Sequence, residues 1–145
     1  MSALRQFTAV VIGGRAVLIG GDSGVGKSSL ALALIDRGAG LIGDDGVALT
    51  VRDGVLVAAP APATRGLIEV RGVGLVTLPV CDAAPVALVL RLDPGAPRFI
   101  EGAPRVAVCG VDLPEIALWP GSPVLALRAE MALAAHGLPL STDVP

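Results

Sequence analysis

The sequence has 145 residues, a length common for one domain, and its 53% hydrophobic against 17% charged residues exclude the disordered class of chain. A formal charge of −2 and only 2% aromatic residues argue against nucleic acid as a partner, because phosphate backbones need basic surface and bases stack on aromatic rings. No apolar stretch approaches the roughly 20 residues that cross a bilayer. We expect one domain over residues 1–145, in the cytoplasm and without a membrane partner.

The first predicted elements lead into a glycine-rich loop. Residues 7–12 and 16–20 are short β-branched runs separated by Gly13 and Gly14, which predicts a β-hairpin. After the loop, leucines and an isoleucine recur at helical spacing over residues 27–37, and Gly38 is typical of a helix C′ position. The pattern therefore predicts strand, glycine loop and helix in succession.

The remaining elements alternate between strands and loops before a last helix. Short strands are predicted at 41–43, 47–51 and 55–59, followed by a proline-rich loop over 60–66. Two further strands are predicted at 86–92 and 105–111. A helix is predicted over 122–137, with Pro123 in its first turn and Gly137 at its end. Cys81 and Cys109 lack the spacing of a zinc site or disulfide scaffold, and we expect buried, reduced thiols.

The glycine loop has the spacing G-x-x-x-x-G-K-[ST] of a phosphate-binding loop. Glycines let the backbone approach an anion, the lysine reaches the β- and γ-phosphates, and the serine hydroxyl binds Mg²⁺. The predicted ATP-binding residues are Gly21, Asp22, Ser23, Gly24, Val25, Gly26, Lys27, Ser28 and Ser29. A glycine-rich turn with a surface lysine is the less favoured interpretation.

Two clusters of charged residues follow this loop. Asp44 and Asp45 end a short predicted strand, where one carboxylate can bind Mg²⁺ while the other accepts the proton of an attacking hydroxyl. The alternative is an Asp-Asp-Gly turn without a chemical role. Glu69 and Arg71 enter a glycine-containing bend, and pattern alone does not separate a functional role from an exposed strand face.

Three segments together resemble the catalytic domain of the bacterial HPr kinase/phosphorylase family. They are GDSGVGKS (21–28), LIDRGAGLIGDD (34–45) and LIEVRGVGLV (67–76), and their order matches over residues 6–77. The resemblance implies an α/β P-loop kinase-type domain with a mixed central sheet and flanking helices. It also implies phosphorylation of a serine of the phosphocarrier HPr by ATP and Mg²⁺, reversal with inorganic phosphate, and assembly as a homo-oligomer, a hexamer in the family.

The resemblance assigns roles by matching position. Lys27 contacts the β- and γ-phosphates, and Ser28 and Glu69 hold Mg²⁺. Asp45 is favoured as the proton acceptor with Asp44 as its partner. The segment that begins with Arg71 tunes the balance between the two directions of reaction. Arg98 is the candidate for a later catalytic arginine of the family, with Arg91 as its competitor.

The sequence also departs from the family pattern. Gln6 stands where the family has a histidine, and residues 118–123 (LWPGSP) replace a stretch that contains two arginines. A preceding domain common in the family is absent, which resembles the short form found in some proteobacteria. These departures favour, as an alternative, a nucleotide-binding sensor without transfer activity. A kinase of small metabolites is disfavoured because no Arg-rich lid segment is present.

Overall fold

The computed structural model describes residues 2–140, which form a mixed α/β fold around a curled central sheet. Two helices and a separate two-stranded ribbon accompany this sheet. In chain order the elements are β1 (Ser2–Arg5), β2 (Thr8–Ile12), β3 (Arg15–Gly21), α1 (Lys27–Asp36), β4 (Gly40–Gly43), β5 (Val47–Arg52), β6 (Val55–Pro60), a 3₁₀ turn (Pro62–Thr64), β7 (Leu67–Val70), β8 (Gly74–Thr77), β9 (Ala84–Leu92), β10 (Arg105–Val108), β11 (Val111–Leu118) and α2 (Leu125–His136).

Strand β9 occupies the middle of the sheet. It runs parallel to β3 and to β11 and antiparallel to β6, and the order along the sheet is β1-β5-β6-β9-β3-β2-β4. Its nearly continuous apolar sequence suits a strand that is covered on both faces. The ribbon of β7 and β8 is a separate antiparallel pair.

The core lies on both faces of the sheet. Val17 and Ile19 of β3 pack into a cluster that includes apolar residues of both helices, whereas Leu18 packs into a second cluster with residues of β5, β6 and β11. Alternation along a strand sends successive side chains to opposite faces, so β3 is buried on both sides. The end of β3, where the glycine loop begins, is therefore firmly held.

The first half of the fold agrees with the prediction from sequence. β2 and β3 pair as the expected hairpin, with Val10 opposite Val17, and α1 follows the loop. Gly38 adopts a φ of 108°, as expected of a residue just past a helix end. Strand β1 was not predicted, because three of its four residues are exposed.

The second half departs from the prediction in three places. The strand predicted over 105–111 is confirmed only over β10, because Cys109 and Gly110 both take positive φ and turn the chain into β11. Strand β11 was missed because Pro114 and two acidic residues interrupt its apolar pattern. Helix α2 starts at Leu125 rather than 122, so Pro123 precedes it; the predicted end at Gly137 is confirmed.

Within the part of the chain that the structure describes, no helix has the length and apolarity needed to cross a membrane. Cys81 and Cys109 are free thiols, as predicted, but both are only partly buried.

Candidate functional site

The glycine loop runs from the end of β3 to the start of α1. A Cβ at Gly21 would lie 2.8 Å from the Leu92 carbonyl oxygen, and Gly21 has a φ of 140°, so this position requires glycine. Gly24 and Gly26 also take positive φ. No side chain caps the N-terminus of α1, which leaves its first N–H groups available to an anion.

Lys27 is the only lysine of the sequence and lies in the first turn of α1. Its Nζ donates a hydrogen bond to the Gly21 carbonyl oxygen at 2.8 Å, which folds the side chain back over the loop. The loop lines a cavity of about 250 Å³ through Ser23, Gly24, Gly26, Lys27, Ser28 and Ser29. Of the other predicted loop residues, Val25 packs against the core and donates its N–H to the Asp22 carbonyl oxygen.

Asp44 lies just after β4 and is bound by three different segments. Its Oδ1 accepts hydrogen bonds from Ser28 Oγ at 2.5 Å and from Thr8 Oγ1 at 3.1 Å. Its Oδ2 accepts one from the Glu69 backbone N–H at 3.0 Å. Three donors on two oxygens hold this carboxylate in one orientation, between the start of α1, the start of β2 and β7.

Asp45 differs from its neighbour. Its backbone has a φ of 55°, and its N–H donates to Thr8 Oγ1 at 3.2 Å. Its side chain is exposed, lines the cavity and accepts no hydrogen bond from any residue within 2–140. Of the two acids, Asp45 is therefore the one with a carboxylate available to another molecule.

Thr8 was missed by the sequence analysis. It is fully buried and lines the floor of the cavity. Its signal in the sequence is weak, a single hydroxyl at the start of an apolar strand, and nothing in that pattern shows which distant residue it contacts.

Glu69 and Arg71 come from the ribbon. Glu69 lies on β7 and Arg71 in the turn that leads to β8, and both side chains line the same cavity as the loop and the two aspartates. The structure thus brings together the loop, the acid pair and the Glu-Arg cluster.

The later arginines lie elsewhere. Arg98 lines a second cavity of about 720 Å³ between the end of β11 and α2, together with Trp119 and His136. Arg91 forms ion pairs with Asp93 and, at 3.5 Å, with Glu115. Neither arginine lines the cavity of the phosphate loop.

Three pKa shifts accompany charge pairs outside the cavity. The hydrogen bond and charge of Glu130 raise the pKa of Arg37, which lies at the end of α1 and is tied to α2 by this pair at 2.9 Å. The hydrogen bond that Arg91 donates to the Asp93 carboxylate raises the pKa of Arg91. The Gly95 N–H, and after it Arg91, lower the pKa of Asp93.

The side chains around the loop fit Mg²⁺. The Ser28 hydroxyl and the carboxylates of Asp44 and Glu69 are hard oxygen donors at one cavity, and Mg²⁺ prefers such ligands. Residues 2–140 contain no cluster of three or more His, Cys, Asp or Glu side chains able to enclose a metal.

A phosphate loop after a buried strand, with acids at the end of a nearby strand, defines a P-loop kinase-type domain. The family model described as HPr Serine kinase C-terminal domain matches residues 4–81, more than half of the chain. The chain belongs to this family.

Individual relatives agree with this assignment. HPr kinase/phosphorylase from Clostridium botulinum (strain Eklund 17B / Type B) is 46% identical over 67 residues, which cover 46% of this chain and 22% of that protein. The Streptococcus pneumoniae (strain Hungary19A-6) protein of the same name is 36% identical over 116 residues, or 71% of this chain and 37% of that protein. The chain thus spans well under half the length of these curated relatives.

A solved structure extends the similarity beyond the matched segment. The HPr(Ser) kinase/phosphatase from Coxiella burnetii superposes with a TM-score of 0.81 at 26% identity, covering 91% of this chain and 94% of that one. The resemblance of the fold therefore includes the second half of the chain, beyond residue 81.

Proposed function

We propose that this chain is a protein-serine kinase that transfers the γ-phosphoryl group of ATP to a seryl hydroxyl of an HPr-like phosphocarrier protein. We propose further that it reverses the step by phosphorolysis, in which inorganic phosphate takes the phosphoryl group and leaves as pyrophosphate. The observation that carries the proposal is the difference between the two acids beside the loop: Asp44 is bound by three donors, while the carboxylate of Asp45 is exposed to the cavity.

Each side chain at the cavity has a distinct task in this proposal. The loop N–H groups and Lys27 bind the phosphates of ATP and balance the charge that develops on them. The Asp45 carboxylate accepts the proton of the seryl hydroxyl as its oxygen bonds to phosphorus, and returns that proton to the seryl oxygen in the reverse direction. Arg71, across the cavity, adds a second positive charge near the transferred group.

Ser28 and Glu69 are the residues that would hold Mg²⁺, and Asp44 orients both of them through its hydrogen bonds. When bound, the ion neutralises charge on the phosphates and polarises them for transfer. The assembly that we propose is a homo-oligomer, a hexamer by resemblance to the family.

A nucleotide-binding sensor that transfers no phosphate is the second candidate. It is favoured by Gln6 in place of a histidine and by the location of Arg98, which lines the second cavity rather than that of the loop. In this alternative the cavity binds ATP and Mg²⁺, and the acid pair serves only that binding.

Incubation of the protein with γ-labelled ATP, Mg²⁺ and an HPr-like protein from the same host separates the two candidates. The kinase proposal expects label on one serine of the carrier, located by mass spectrometry, and loss of that label on addition of inorganic phosphate. A carrier with its seryl residue replaced by alanine is the control. Tight binding of ATP without any labelled carrier would support the sensor.

A further inference from the structure

Thr8 stands out among the buried residues of the fold. Thr8 and Ser122 are the two polar side chains buried within residues 2–140, and Thr8 has no exposed surface at all. Burial of a hydroxyl costs free energy unless the hydroxyl is hydrogen-bonded. The hydrogen-bond partners of Thr8 therefore show which groups its hydroxyl holds in place.

The hydroxyl of Thr8 links the two acids. Its single proton is donated to Asp44 Oδ1 at 3.1 Å, because an acceptor-only carboxylate offers no proton in return. Its oxygen then accepts the N–H of Asp45 at 3.2 Å. One atom thereby fixes the side chain of one aspartate and the backbone of the next.

The neighbouring residues hold the same turn. The Gly46 N–H donates to the Phe7 carbonyl oxygen at 2.9 Å, so residues 44, 45 and 46 are each bonded either to Thr8, the first residue of β2, or to Phe7 just before it. Pairing between β2 and β4 ends at Gly43, opposite Ala9. Beyond that point the Phe7 and Thr8 contacts take over the role that ladder hydrogen bonds have within the sheet.

The backbone of Asp45 needs such support. Its φ of 55° lies in the left-handed region that side-chain-bearing residues seldom adopt, and such conformations persist where surrounding contacts determine them. The exposed carboxylate gains its direction from this backbone, since no other residue within 2–140 hydrogen-bonds to it.

We propose that Thr8 is a positioning residue, which aims the Asp45 carboxylate at the acceptor hydroxyl by holding the backbone of the turn. The inference rests on the proposed function for the role of Asp45. The hydrogen bonds by which Thr8 fixes the turn are, however, present in the protein without ligands. Thr8 acts through Asp45, because its hydroxyl is already bonded to the Asp44 carboxylate and to the N–H of Asp45.

Two substitutions separate the hydroxyl from the shape of the side chain. Thr8→Val keeps the shape and removes the hydrogen bonds, whereas Thr8→Ser keeps the hydroxyl. A misplaced base costs about 100-fold, so Thr8→Val should lower kcat for transfer to the carrier by roughly 10- to 100-fold while KM for ATP stays within a few-fold. Thr8→Ser should stay near wild type. Thr50→Val, on β5 of the same sheet, is the matched control.

Unchanged kcat in Thr8→Val would overturn the inference. An equal loss of kcat in Thr8→Ser and Thr8→Val would also overturn it, because packing of the methyl group rather than the hydroxyl would then be the cause. A rise in KM for ATP without a fall in kcat would assign Thr8 to nucleotide binding and reject the positioning role.

A second measurement uses the protein without nucleotide. In ¹⁵N-labelled protein the amide proton of Asp45 should move upfield and exchange faster in Thr8→Val than in wild type, Thr8→Ser or Thr50→Val, because its acceptor is gone. An Asp45 amide that is unchanged in Thr8→Val would overturn the proposed hold. If wild type transfers no phosphate, the proposed function fails, and this amide still decides whether Thr8 holds the turn.

Discussion

Two cavities of this protein differ sharply in the side chains that line them. The cavity at the phosphate loop is small, about 250 Å³, and is lined largely by charged and hydroxyl side chains, of which Thr8 and Ser28 donate hydrogen bonds to the Asp44 carboxylate. The cavity beside α2 is about 720 Å³ and is lined largely by apolar side chains. Its lining also includes the basic residues Arg98, Arg128 and His136. Fixed polar geometry is what chemistry on a phosphoryl group requires, and only the first cavity has it.

The two cavities are also lined by different parts of the chain. Residues that line the first all lie between Thr8 and Arg71, within the span matched by the family model, whereas those that line the second lie between Ala96 and His136, outside it. The comparison therefore predicts that substitutions at the first cavity alter binding or transfer of phosphate, while those at the second leave nucleotide binding intact.

Replacement of Asp45 is the largest expected effect. Asp45→Asn removes the proposed proton acceptor. A positioned general base typically contributes ~10²–10⁴-fold, so the rate of transfer to the carrier should fall by about this factor while ATP affinity stays within a few-fold. Asp44→Asn should be similar or milder. Asp53→Asn is a matched control, because Asp53 also takes a left-handed φ, 51°, in an exposed turn away from the cavity. Phosphorylation assays and calorimetry on the same preparations measure both quantities.

Wild-type transfer by Asp45→Asn would reject its role as base. Were both aspartate variants to alter only nucleotide affinity, the acid pair would belong to a sensor.

Replacement of Lys27 should weaken binding itself. Charge-assisted hydrogen bonds contribute about 1.5–3 kcal/mol, so Lys27→Ala should lower ATP affinity by roughly 10- to 100-fold in calorimetry. Arg52→Ala removes an exposed positive charge at the end of β5 and serves as the control. The assignment of the phosphate loop would not survive unchanged affinity together with unchanged turnover in Lys27→Ala.

Glu69→Gln tests the proposed magnesium ligand. Loss of one carboxylate should raise the Mg²⁺ concentration needed for half-maximal transfer by about tenfold, and leave metal-free nucleotide binding unchanged. Glu101→Gln, in the exposed loop before β10, controls for the change in net charge. Equal Mg²⁺ dependence in Glu69→Gln and wild type would return Glu69 to the status of an exposed strand residue.

A pair of arginines compares the cavities directly. Arg71→Ala should weaken ATP binding by a few-fold, since exposed charge pairs contribute about 0.2–1 kcal/mol, whereas Arg98→Ala should leave it unchanged. Calorimetry measures both. An equal loss of ATP affinity in the two variants would contradict the distinction between the cavities, because it would mean that the second cavity takes part in binding nucleotide.

The smallest expected effect is a pH dependence of folding stability that comes from Asp93, just after β9. The Gly95 N–H and Arg91 lower the pKa of Asp93. The ionised carboxylate therefore stabilises the folded state fully above the ordinary carboxyl pKa of about 3.9, and this stabilisation is lost as pH falls through the lowered pKa. Asp93→Asn should therefore lower Tm slightly at pH 6, with the difference shrinking below about pH 4. Asp112→Asn, exposed on β11, is the control. A difference that grows on acidification would contradict this assignment.

The features that the sequence predicted are those with a local signal, and the features that it missed depend on distant contacts or on unusual backbone conformations. The hairpin, loop and helix around Gly21 and Lys27 follow from local requirements for glycine and apolar spacing, which sequence records directly. Thr8 was missed because its contact with Asp44 joins residues 36 positions apart. The turn at Cys109 was missed because a non-glycine residue seldom takes positive φ, so Cys109 itself gives no turn signal and only Gly110 does.

The central place of β9 has a consequence for synthesis of the chain. Its residues Val86–Leu92 pair with β3 from Ala16 to Gly21, and the Leu92 carbonyl oxygen lies 2.8 Å from the position that a Cβ of Gly21 would take. A nascent chain that has left the ribosome only as far as residue 81 carries all three family motifs but lacks the strand against which the glycine loop is seated. Such non-local parallel pairing forms late, so the motif-bearing half should remain open to chaperones and proteases until β9 emerges.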